Sequence, residues 1–172
     1  QDDAHIYCMP SQIESEIVGV IDLIFETYKA FGFTDFAIEL STKPEKHIGS
    51  DEIWEIATNA LKAALDHKKI TFRINEGDGA FYGPKIDFHV KDCIGRSWQV
   101  GTIQLDFSMP QRFELTYVDE DNSEKTPVMI HRAVLGSLER FMGIVIEQYA
   151  GALPPWLAPE QVRVMTISEK SN

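Results

Sequence analysis

The sequence predicts an α+β domain, a mainly antiparallel sheet flanked by helices, and three observations carry that prediction. Apolar residues recur at helical spacing over two long stretches, Ile13 to Phe31 and Ile53 to Leu65. Three strand-like runs, PKIDFHV, RSWQVGTIQLDF and QRFELTYV, then follow one another without a helix between them. A further helical stretch runs from about Leu135 to Tyr149. Strands grouped between helices, rather than alternating strictly with them, indicate a sheet with helices packed on it.

Taken in order, residues 1 to 8, QDDAHIYC, read as a strand. Ser11-Gln12-Ile13-Glu14 has the pattern of a capping box, and Ile13, Ile17, Val20, Ile21, Ile24, Phe25, Tyr28 and Phe31 give the helix it opens an apolar face. Gly32 stops that helix. Phe36 to Leu40 is a short strand, STKPEKHIGS a polar loop, and Ser50 a cap for the second helix. That helix turns Ile53, Trp54, Ala57, Ala60, Leu61, Ala64 and Leu65 inward. ITFRIN and the glycine-rich EGDGAFYG lead into the three strand-like runs. DEDNSEK is a turn, PVMIH another strand, ALPPWLAPEQ a proline-rich connector, and QVRVMTIS the start of a further strand. The glycine-rich loop matches neither GxxxxGK[ST] nor GxGxxG, which removes the two commonest nucleotide-binding motifs.

A chain of 172 residues suits one domain with a real core, and 44% hydrophobic with 25% charged residues is the balance of a globular protein. A formal net charge of −11 argues against a broad basic surface, so an RNA partner would find most of its phosphate contacts elsewhere. Two cysteines, Cys8 and Cys93, make no disulfide framework and point to a reducing, cytosolic compartment. Apolar runs such as Phe141 to Ile146 fall far short of a membrane span. No signal peptide is visible, and with no Met ahead of Gln1 a lost leader stays open.

Alternation along a strand puts Gln1, Asp3 and His5 on one face and Asp2 and Ala4 on the other. An amide, a carboxylate and an imidazole in line suit a metal or a polar ligand, and equally a solvated edge strand. His131 closes the apolar run PVMIH. His5 and His131 together could supply two zinc ligands, although spacing offers no third, and Cys8 faces away from His5. Arg140 stands at the start of the last helix, where backbone N–H groups favour phosphate; a surface ion pair is the simpler reading. Lys85, Gln99 and Gln104 are polar residues in core-like surroundings, and buried amides need partners. Gln99 and Gln104 fall on opposite faces of a regular strand unless Gly101 marks a bulge. His47, His67 and His89 read as solvent or packing residues.

In this order, QDDAHI, LSTKPEKHIGSDEIW, EGDGAFYGPKIDFHV, GTIQLDF and PVMIHRAVLGSLERFMGI resemble the catalytic core of the threonyl-tRNA synthetases, within the class II aminoacyl-tRNA synthetases. The resemblance covers nearly the whole chain through WLAPEQV. It implies a partial class II core over residues 1–158, from within motif 2 through motif 3, and over 159–172 a connector and the first strand of an anticodon-binding domain. It implies that His5 and His131 are two of three protein ligands of a catalytic Zn2+, the third being a cysteine outside this chain. Asp3 would accept a hydrogen bond from the threonine hydroxyl, Gln1 would lie beside the amino acid, and Tyr82 would approach its amino group. Gln99, Gln104, Lys85 and Ser137 would line the threonine and adenylate pocket, with Arg140 on the phosphates of Mg2+-bound ATP. Lys85 and Arg140 would be the catalytic pair. The implied partners are threonine, ATP and tRNA(Thr), in a cytoplasmic homodimer with no membrane association.

The family pattern also includes motif 1, an arginine-bearing first strand of motif 2, the zinc cysteine and a complete anticodon-binding domain, none of which is in this sequence. Lys43 stands where the pattern has an arginine. The segment alone is therefore expected to be inactive, as part of a larger synthetase. Two other classes stay open: a catalytically inactive synthetase-like binding module, and a zinc hydrolase built on His5 and His131, for which the chain offers no HExxH-like helix.

Overall fold

A computed structural model describes residues 1–168. The elements are β1 (Ala4–Cys8), α1 (Ile13–Ala30), β2 (Phe36–Ser41), α2 (Asp51–His67), β3 (Arg73–Asn75), β4 (Lys85–Lys91) and β5 (Ser97–Asp106). The short α3 (Ser108–Arg112), the two-residue strands β6 (Tyr117–Val118) and β7 (Glu124–Lys125), β8 (Val128–Ala133) and α4 (Leu138–Gln148) complete the order. Six strands form one sheet in the order β1-β8-β5-β4-β2-β3, antiparallel throughout except between β2 and β3. The predicted α+β class, mainly antiparallel, is the observed one.

The sheet has two unlike faces, because alternate residues of a strand point opposite ways. Ile130, Ile103, Leu105, Ile86, Phe88, Ile38 and Leu40 are buried with Ile17, Val20, Ile21, Ile24 and Tyr28 of α1 and Ala57, Leu61, Ala64 and Leu65 of α2. Fully burying each large member contributes about 1.5–3 kcal/mol, so this layer carries most of the stability. The other face is polar. One register row reads His5, His131, Gln104, Lys85 and Ser41, and the next contains Thr102, Asp87 and Glu39.

Several boundaries depart from the sequence reading. Residues 1–3 lie ahead of β1 and are not strand. Ser11 is not the cap of α1: Pro10 starts a 3-10 turn, Pro10–Gln12, and Gln12 becomes the cap residue. Gln12 Oε1 meanwhile accepts from the Met9 N–H at 2.9 Å. Only 73–75 of ITFRIN are strand. QRFELTYV is not a strand along its length, because Asp106 Oδ1 accepts from the N–H groups of Ser108 and Met109 and turns the chain into α3. α4 begins at Leu138 rather than near Leu135, with Ser137 as its cap. Residues 161–168 of QVRVMTIS form no strand, and the rest of that proposed segment, 169–172, lies outside the described residues.

Two predicted helix boundaries, one stop and one start, are as expected. Gly32, at φ +81°, follows α1 in a Schellman arrangement, with Phe33 N–H donating to Tyr28 O and Gly32 N–H to Lys29 O. Ser50 caps α2 by accepting from the Ile53 N–H at 3.4 Å.

Candidate active site

A cavity of about 450 Å³ opens on the polar face, over β1, β8 and β5. β1 and β8 pair so that His5 and His131 are direct neighbours, with rings edge to face and centroids 4.9 Å apart. Gln104 lies on the other side of His131, and its Oε1 accepts from the Tyr82 hydroxyl at 2.6 Å. Burial, followed by the nearby Asp106 charge, raises the Tyr82 pKa, so the phenol stays protonated and donates.

His131 is anchored from within. Its Nε2 is 3.0 Å from Oδ2 of Asp106, a carboxylate with no solvent exposure whose other oxygen is held by two backbone N–H groups. Facing a carboxylate, Nε2 is the donor of this contact, which fixes the ring's orientation. This is the histidine–carboxylate pairing that orients metal ligands. Two adjacent imidazoles with one so anchored suit a zinc site in part. Among the described residues no group of three His, Cys, Asp or Glu side chains could hold a metal.

The turn between β8 and α4 delivers the cationic end. Asp2 accepts from the N–H groups of Val134, Leu135 and Gly136 at 2.9–3.0 Å. Gly136 sits at φ +66°, and a Cβ there would lie 2.7 Å from the Val100 carbonyl oxygen. Ser137 Oγ then accepts from the Arg140 N–H, and Arg140 reaches the cavity with Nη2 2.7 Å from the Gln99 carbonyl oxygen.

β5 makes the bulge that places both glutamines on this face. Phe88 pairs with Gly101 but His89 with Gln99, so Val100 is the extra residue. Gly101 permits it: a Cβ there would lie 2.6 Å from the Tyr28 hydroxyl, which donates to Val134 O. A bulge beside Gly101 is the condition under which Gln99 and Gln104 share a face, and it is met here.

Of the residues singled out from sequence, the cavity is lined by Gln1, Asp3, His5, Tyr82, Gln99, Gln104, His131 and Arg140. Lys85 and Ser137 are not among its lining. The Lys85 ammonium lies 2.8 Å from Asp87 and 3.3 Å from Asp78. Burial works against its charge, but the hydrogen bond and charge of Asp87 and those of Asp78 outweigh it and raise the pKa. Ser137 is occupied as a helix cap and donates to Glu139. Cys8 is buried, and burial with the Glu16 charge pushes its thiol up to about 11, away from reactivity.

Sequence reasoning missed Asp2, Asp87, Thr102, Asp106 and Arg132. Alternation alone could have found two of them: Asp87 shares its face with Lys85, and Asp106 with Gln104.

Residues 1–149 match the family model of the tRNA synthetase class II core domain (G, H, P, S and T). The chain is 63% identical over 170 residues to the threonine–tRNA ligase of Carboxydothermus hydrogenoformans, covering 99% of this chain and 27% of that protein. It is 63% identical over 172 residues to that of Thermotoga neapolitana, again 27% of the relative. The chain thus spans about a quarter of the length of the curated relatives it matches. A crystal structure titled as the RNA binding domain of threonyl-tRNA synthetase from Cryptosporidium parvum is similar at TM-score 0.88 and 50% identity, over 92% of this chain and 40% of that one. Apo histidyl-tRNA synthetase of S. aureus shares the fold alone, at TM-score 0.54 and 14% identity over 86% of this chain and 39% of that one. The chain belongs to the class II aminoacyl-tRNA synthetase core family.

Proposed function

We propose that this chain is part of a threonine–tRNA ligase, which activates threonine with ATP to threonyl-adenylate and transfers it to tRNA(Thr). The observation that carries the reading is one cavity lined by Gln1, Asp3, His5, His131 and Arg140, in a chain 63% identical to ligases of that name. The activity belongs to the longer protein.

His5 and His131 would hold Zn2+, with a cysteine outside this chain as third protein ligand. Bound there, zinc would supply an open Lewis-acid position for the amino and hydroxyl groups of threonine. Asp3 accepts a hydrogen bond from that hydroxyl. Valine offers Asp3 nothing, and a site built to pair with a hydroxyl rejects the analogue lacking it by orders of magnitude. Gln1 and Tyr82 flank the amino acid. Arg140, at the N-terminal turn of α4, meets the phosphates of Mg2+-bound ATP, where charge grows as the threonine carboxylate attacks the α-phosphorus, the α–β phosphoanhydride bond breaks and pyrophosphate leaves. Gln99 and Gln104 orient the adenylate, and Lys85 and Ser137 support the pocket from outside its lining. No helix among the described residues is long and apolar enough to cross a membrane. A cytoplasmic homodimer is the assembly we infer for the whole enzyme.

Zinc analysis and amino-acid-dependent pyrophosphate exchange on the full-length protein test this. The expected result is bound zinc, exchange with threonine, none with valine, and loss of both zinc and exchange in His5→Ala and His131→Ala. Threonine binding without exchange would favour an inactive binding module, and zinc without amino-acid binding a hydrolase; either result overturns the ligase reading.

A further inference from the structure

Asp87 is 1% exposed and pairs in register with Thr102 beside the cavity. Its two oxygens serve different neighbours. Oδ2 accepts from Ser41 Oγ at 2.9 Å and faces the Lys85 ammonium at 2.8 Å. Oδ1 accepts from Gln99 Nε2 at 2.6 Å and from Thr102 Oγ1 at 2.9 Å. Gln99 Nε2 also lies 3.1 Å from Thr102 Oγ1, so the amide nitrogen is engaged within the sheet face. The opposite amide orientation would set its oxygen against a carboxylate that can only accept. Gln99 lines the cavity, and with its amide nitrogen so engaged, Oε1 is the Gln99 side-chain atom that none of the described residues hydrogen-bonds.

We propose that Asp87 is a positioning residue: it fixes the Gln99 amide so that the cavity is offered a carbonyl oxygen, and the ligand group meeting that oxygen is a hydrogen-bond donor. On the ligase reading, on which the donor's identity rests, the donor is a ribose hydroxyl of ATP or the ammonium of the amino acid.

Lys85 makes the arrangement one-way. In Asp87→Asn the new NH2 must replace one oxygen, and an ammonium cannot accept from it. The NH2 therefore turns to the Gln99 side. Gln99 must invert to accept from it, and its own NH2 then faces the cavity.

The test is pyrophosphate exchange on the full-length enzyme, with KM measured separately for ATP and threonine. Asp87→Asn is expected to raise one KM about tenfold, the factor for one mispaired hydrogen bond, with a much smaller change in kcat. The double variant D87N/Q99E restores it, because the introduced carboxylate accepts from the introduced amide and again presents an oxygen. Gln99→Met leaves Asp87 and its other partners in place, and raises the same KM even where D87N folds poorly. A rise for ATP identifies the ribose hydroxyl, and a rise for threonine the ammonium. Unmoved KM values in Q99M, or a D87N defect that the double variant does not repair, overturn the proposal. Absent wild-type exchange would instead overturn the ligase reading. The orientation is then read by NMR: side-chain amide signals of Gln99, assigned by their loss in Q99E, shift in D87N, and unchanged signals refute it.

Discussion

Replacing Asp2 probes how the cationic end of the cavity is held. Asp2 Oδ2 accepts from Val134 N–H at 2.9 Å and lies 3.5 Å from Arg132 Nη1. Oδ1 accepts from Leu135 N–H at 3.0 Å and Gly136 N–H at 2.9 Å. In Asp2→Asn the oxygen serves Leu135 and Gly136, while the new NH2 faces two donors, Val134 N–H and Arg132. The loss is one charge-assisted hydrogen bond, about 2 kcal/mol. Asp2→Ala strands all three N–H groups, and water reaching this half-buried turn recovers part of the loss, leaving about 3 kcal/mol. Hydrogen exchange through local opening reports such differences directly. On the full-length protein, the amides of residues 134–136 should exchange ~30-fold faster in D2N and more than ~100-fold faster in D2A. Amides buried in α1 should be unaffected. Equal exchange at 134–136 in wild type and both variants would refute the reasoning, since the turn would then be held by something other than Asp2.

If His5 and His131 hold zinc as proposed, Asp106→Asn should leave His131 with a weaker anchor, and zinc affinity of the full-length protein, measured by competition with a chelator, should fall about 10–100-fold. Asp92 supplies a pH prediction. Burial opposes its charge, but hydrogen bonds from Trp98, Arg96 and two backbone N–H groups more than compensate, lowering the carboxylate from 3.8 to about 2. A depressed carboxylate stabilises the fold above its unfolded pKa and ceases to as pH falls through the folded one. The stability gap between wild type and Asp92→Asn should therefore be full at neutral pH and shrink between pH ~4 and ~2; a gap independent of pH in urea titrations would contradict it.

Helices α1 and α2 were legible because their signals are local. Apolar spacing places their buried faces, and Gly32 and Ser50 act on groups within a few residues. Segments governed by distant or competing partners were not. QRFELTYV has the composition of a strand, but the Asp106 side chain and Pro110 turn its approach into a short helix. Ser11 has the residue type of a cap, yet Pro10 opens the turn one residue earlier. Alternation puts Gln1, Asp3 and His5 on one face, and all three do line the cavity, although two of them precede the strand.

The sequence by itself determined the fold class, the helices and the kinds of side chain available to the site, because periodicity and capping act across a few neighbouring residues. Only the tertiary structure decided which of those side chains meet. Strand register set His5 beside His131, the Val100 bulge turned Gln99 to the face of Gln104, and Asp2 bridged 134 positions to Gly136. The same packing drew Lys85 to Asp87 and Asp78 and made Ser137 a cap. Those outcomes depend on hydrogen bonds and close contacts between residues far apart in the chain, which no local pattern encodes.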